Sequence, residues 1–157
     1  MYRIEGEDMQ TQPSLEEAKQ SLVDDFALFE DWNDRYEYII SLGSHMPEYP
    51  DELRTEDHEV HGCQSMVWMA ARMDSGVINF QADSDAMITK GLVALMVNLH
   101  SGRSPDEILS SNLEFLKDIG LEEHLTPSRV NGLVAMFNKI REHAVRFKAM
   151  EESGTAS

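Results

Sequence analysis

The chain has 157 residues, 29 of them acidic against 13 basic for a net charge of -16, and one cysteine. That length suits one domain with a real core and is short for two. The charge argues against a sequence-independent grip on nucleic-acid phosphates and against an anionic membrane surface, leaving proteins and small molecules as partners.

The start, MYRIEGEDMQTQPS, has no apolar run behind a basic one and is too acidic for a typical transit segment. The longest mainly apolar stretch, GLVALMVNL, falls well short of the roughly 20 residues a spanning helix needs. The sequence therefore reads as cytoplasmic, and a lone cysteine fits a reducing compartment. Residues 1–13 and 150–157 are too polar to offset the entropy of ordering and are expected to be disordered, around a single domain over 14–149.

Ser14 and Glu17 have capping-box spacing, and Leu15, Ala18, Leu22, Phe26 and Phe29 follow at helical intervals, which predicts a first helix. WNDRYEYIISL predicts a second, with Tyr36, Ile39 and Ile40 on one side and Gly43 ending it in the left-handed conformation. The charged, proline-bearing stretch 46–57 reads as a loop leading to Cys63. SMVWMAARM, the turn DSG and the alternating VINFQA predict a hairpin. After it, Met87, Ile88, Gly91, Leu92, Leu95, Met96 and Leu99 form one stripe of a helix ended near Gly102. Asp83 or Ser84 is its expected cap, and Asp85 its first-turn acid facing the positive end of the dipole. SPDEILSS and NLEFLKDIGL read as short helical pieces. The longest helix is predicted from Pro127, with Thr126 as cap and Val130, Leu133, Val134, Phe137, Ile140 and Ala144 on one face. The fold class is α+β, a small antiparallel sheet with helices packed on one side.

Cys63 is the first candidate for chemistry. By residue type a free cysteine is usually a packed, small hydrophobe. Its neighbours Gly62, Gln64 and Ser65 instead suggest a thiol where a loop enters a strand, near the surface, usable as a nucleophile once ionised. One thiol makes neither an internal disulfide nor a multi-thiolate metal site, so its chemistry involves a second molecule. His58 and His61 are close in sequence and read as solvated loop residues; a Cys-His peptidase would also need an oxyanion hole and an orienting third group. No histidine spacing resembles a metal motif, and no metal is expected. Arg129 in the first turn of its helix opposes the dipole, which points to a carboxylate or a partner that holds it. The ten methionines read as flexible filling of core and core edge.

HGCQSMVW, then DSDAMITKGLVALMV after one hairpin, then LTPSRVNGLVAMF resemble, in order, three blocks of the SufE family of sulfur-acceptor proteins. The resemblance runs from about Leu22 to Phe147, with WNDRYEYIISLGSHMPEYP matching in kind, and departs from the commoner pattern at Met66, where a polar residue is frequent. It implies an IscU/SufE-like fold, no cofactor, and a persulfide-accepting cysteine at Cys63. Asp85 and Arg129 would lie near the cysteine loop or the desulfurase contact, with Gly62, Gln64 and His61 as loop-supporting or partner-binding residues. The implied partners are a SufS-like or CsdA-like cysteine desulfurase and Fe-S scaffold proteins such as SufBCD. From another class, a non-catalytic adaptor or redox-sensing thiol protein remains the alternative.

Overall fold

The computed structural model describes residues 12–154. The expected disorder over 1–13 therefore falls almost wholly outside the described residues, as do residues 155–157 of the expected tail. The rest of that tail is a correction, because the last helix runs on to Glu152.

Helix α1 (Leu15–Ala27) starts at the predicted capping box. Ser14 Oγ accepts from Glu17 N at 3.1 Å and Glu17 Oε1 accepts from Ser14 N at 3.0 Å. Such a cap is worth about 1 kcal/mol. Helix α2 (Trp32–Ser44) is capped by Asp31, whose carboxylate accepts from Asp34 N. Gly43 does not end this helix. His45 is the C-cap, and Gly43 is a buried contact residue: a Cβ there would sit 2.9 Å from Gly91 N. One at Gly91 would sit 2.2 Å from Ile39 O. The missing side chains let α2 and helix α3 (Met87–His100) cross backbone against backbone.

Two single-turn 3-10 helices (Asp51–Leu53 and Glu56–His58) break up the expected loop and lead to the hairpin of β1 (Val67–Asp74) and β2 (Val77–Ser84). The strands pair antiparallel from Val67 with Ser84 to Asp74 with Val77. Ser75 and Gly76 both have positive φ, 55° and 88°, as a two-residue type I′ turn requires. The face carrying Met69, Ile78, Phe80 and Ala82 is buried, and β2 packs on α3.

Helix α3 (Met87–His100) is the centre of the molecule. Every residue from 91 to 97 is buried, because α1, α2, α7 and the hairpin surround it. Short helices α4 (Pro105–Leu109), α5 (Phe115–Ile119) and α6 (Leu121–His124) lead to α7 (Pro127–Glu152). Thr126 caps α7 through Arg129 N with Pro127 in the first turn, as its sequence predicts. Leu133, Phe137, Ile140 and Ala144 form its core stripe, but Val134, expected there, is 40% exposed. The architecture is α+β, with the hairpin lying against the helices.

Candidate functional site

The cysteine loop, residues 61–66, is closed at its base by Val60 N donating to Val67 O at 2.8 Å, with both valines buried. Glu59 bridges Trp68 beside it. Gly62 has a φ of +100°, a conformation that strains any L side chain, and an added Cβ would come within 3.1 Å of Ala135 Cβ. This turn lays Cys63 on α7. Its Sγ–H faces Gly132 O at 3.7 Å, and a Cβ on Gly132 would lie 3.5 Å from Sγ. The seat is thus made by small residues of α7 spaced along one face, beside the helix's core stripe.

Beneath the loop is a cavity of about 40 Å³, room for roughly one or two water-sized atoms. Cys63, Ser65, Thr89, Leu92, Gly132 and Met136 line it, together with Gln64, Ser128 and Arg129. Cys63 is half-buried, and burial pushes its thiol above the ordinary range. At neutral pH the seated sulfur is therefore protonated and a poor nucleophile. Gln64 is exposed and its Oε1 accepts from Ser128 Oγ at 3.0 Å, which ties the loop to the start of α7.

The exit of the loop is held from β2. Met66 N donates to Asp85 Oδ1 at 3.1 Å, Asp85 N donates to Met66 O at 3.3 Å, and Ser84 Oγ donates to the same carbonyl at 2.7 Å. The predicted roles of Asp83, Ser84 and Asp85 in starting α3 are corrected. All three precede the helix, whose N-cap is Ala86 with no side-chain cap. Asp83 belongs to β2, with Arg54 Nη1 at 2.7 Å and Lys90 Nζ at 3.3 Å. Burial pushes its carboxyl up, but Arg54, the Ser84 backbone and Lys90 outweigh that and hold it below the usual range. The Arg54 guanidinium lies over the rings of Tyr49 and Trp68, at 5.3 and 5.0 Å, so the 49–54 segment is clamped to the base of the hairpin.

The structure brings Cys63, Gln64 and Arg129 to one cavity and places Asp85 at the loop's exit and Gly62 in its turn. Arg129 is exposed and, among the described residues, has no carboxylate partner. His61 is exposed and lies outside the cavity lining; His58 Nδ1 is 2.9 Å from Thr55 Oγ1. Among the described residues no group of three or more His, Cys, Asp or Glu could hold a metal ion, and no helix is long and apolar enough to cross a membrane. Sequence reasoning missed Ser65, Thr89, Ser128 and Gly132. The available signal was spacing: Ser128, Gly132 and Met136 recur every four residues on α7, flanking its obvious apolar stripe. Met66 and Met87, exposed by 39% and 68%, are surface residues, whereas Met69, Met96 and Met136 fill the core.

Comparison with known proteins agrees with this architecture. The SufE family model, described as an Fe-S metabolism associated domain, matches residues 20–144. An uncharacterized SufE-like protein of Rhizobium etli is 41% identical over 128 residues, covering 78% of this chain and 86% of the relative. Another, from Rhizobium meliloti, is 39% identical over 128 residues, covering 78% and 91%. The solution structure of a hypothetical protein from Thermus thermophilus shares the fold with a TM-score of 0.67 at 22% identity, over 82% of this chain and 93% of that one. With a family match over most of its length and relatives near 40% identity, the chain belongs to the SufE family, whose domain is associated with Fe-S metabolism.

Proposed function

We propose that this protein is a sulfur acceptor. Cys63 takes the outer sulfur of a persulfide held by a cysteine desulfurase of the SufS or CsdA kind, stimulates that enzyme by clearing it, and hands the sulfur to an Fe-S scaffold such as SufBCD. The observation that carries this reading is a lone thiol seated, protonated, over a cavity large enough for one more sulfur atom.

The step balances without an oxidant. Once the loop leaves its seat, Cys63 loses its proton to solvent and the thiolate attacks the outer sulfur of the donor persulfide. A new S–S bond to Cys63 forms as the donor's S–S bond breaks, and the donor's inner sulfur leaves as thiolate. Docking of the partner supplies the reason to leave the seat; Arg129, exposed and without a carboxylate partner among the described residues, and Asp85, at the loop's exit, are the residues we assign to that contact. The protein works as a sulfurtransferase-like activator in the cytoplasm and brings no cofactor of its own.

Incubation with a desulfurase and free cysteine is expected to add one-sulfur mass increments to the peptide containing Cys63, and Cys63→Ser is expected to abolish both loading and stimulation. Full stimulation by Cys63→Ser, or intact function of Cys63→Ala in cells, would instead identify a binding adaptor and end the sulfur-acceptor reading.

A further inference from the structure

Thr89 stands in the first turn of α3 and is 8% exposed, yet its hydroxyl serves no cap. Among the described residues it makes one hydrogen bond, a marginal one of 3.5 Å to Ser65 Oγ across the floor of the Cys63 cavity. Its other neighbours in the lining include Leu92 and Met136, which offer no strong partner. A buried hydroxyl that poorly satisfied is a cost to the fold and calls for a reason.

The resting thiol gives none, since its own proton faces Gly132 O. A persulfide at Cys63 does. Its outer sulfur lies one S–S bond, about 2 Å, beyond Sγ, and a hydropersulfide is a stronger acid than the parent thiol. Once ionised it cannot donate to Gly132 O and requires donors. Three lining side chains carry hydroxyls, and that of Ser128 is already given to Gln64. Charged groups are sparse around this position: Arg129 from α7 is the one in the lining, while α3 and the loop itself contribute neutral side chains.

We propose that the Thr89 hydroxyl, supported by Ser65, is the donor that holds the outer sulfur of a Cys63 persulfide as an anion while the loop is seated. The proposal rests on the sulfur-acceptor reading and adds a means of protection to it. An anionic outer sulfur repels an attacking thiolate, so stray small thiols gain little from reaching the seated cargo; release of the loop removes the donor and restores transfer.

The test loads the single cysteine with inorganic polysulfide, so that no desulfurase is needed, and follows the near-ultraviolet absorbance of the persulfide anion with pH. One charge-assisted hydrogen bond lost corresponds to an apparent persulfide pKa higher by about one to two pH units in Thr89→Val. The same variant is expected to lose its sulfur to glutathione several-fold faster at neutral pH. Thr89→Ser, which keeps the hydroxyl, is expected to behave as the wild type, and Ser65→Ala to shift in the same direction by less. A Thr89→Val persulfide that titrates and decays like the wild type overturns the proposal. Wild-type protein that polysulfide loads but a desulfurase does not would overturn the sulfur-acceptor reading, and the titration would still decide the role of Thr89.

Discussion

Asp85 and Met66 are joined twice, with the Asp85 carboxylate accepting from Met66 N at 3.1 Å and Asp85 N donating to Met66 O at 3.3 Å. The side-chain half of this pair can be removed alone. Asp85→Ala deletes a bond between exposed groups, worth about 1 kcal/mol, and leaves the backbone half in place. If Cys63 reacts from an opened loop, that loss raises the open population about fivefold. The expected result is a roughly fivefold faster alkylation of Cys63 with little change in global stability, while Asp85→Asn, which retains an oxygen, stays near the wild-type rate. Wild-type alkylation of Asp85→Ala would mean that the exit of the loop is not what keeps it seated.

Gly91→Ala sets two effects against each other. Alanine is favoured over glycine in a helix by about 1 kcal/mol. The new methyl, however, would overlap the Ile39 carbonyl, a backbone group that cannot swing aside, with Ile39 O at 2.2 Å and its carbon at 2.7 Å. Prying apart α2 and α3 at their crossing costs about 3 kcal/mol, so the overlap wins. Chemical denaturation is expected to show a net loss of about 2 kcal/mol; a stabilised variant would contradict the backbone-to-backbone crossing.

His100 makes a pH prediction. It is fully buried, with Nδ1 2.8 Å from Met96 O and Nε2 3.3 Å from Ser111 Oγ, and burial lowers its pKa to about 4. Between about 4 and the ordinary 6.5 the unfolded chain binds a proton that the folded one refuses. Stability is therefore fully present above 6.5 and is lost as pH falls towards 4, by on the order of 3 kcal/mol from this one group. His143, held to about 4 mainly by burial and then by Arg146, acts in the same direction. Urea midpoints at pH 7.5 and pH 5 are expected to differ for the wild type and to draw closer in His100→Gln. An unchanged difference would remove His100 from the account.

The hairpin, the caps of α1 and α7 and the apolar stripe of α3 were legible in sequence because each depends on residues a few positions apart. Cys63 was legible as a loop-to-strand thiol for the same reason. Gly43 and Gly91 were not, since their meaning lies in each other's helix, more than forty residues away. Asp83 and Asp85 stood where a cap and a first-turn acid stand and were read as such. Their partners, Arg54, Lys90 and the Met66 backbone, come from segments that only the folded chain brings near. The floor of the cysteine site was hidden by the same limit: Thr89 and Gly132 look like ordinary helix residues until the loop lies across them.

The bond between Val60 N and Val67 O, buried between two valines, fixes how far the thiol travels. With both ends of the loop pinned at that point, Cys63 is on a leash of about three residues on each side, or roughly 10 Å of extended chain. On the sulfur-acceptor proposal, a donor has to bring its persulfide inside that radius of the hairpin's base, and so does whatever collects the sulfur. Both have to present their sulfur on a projection that reaches in, and they must take turns.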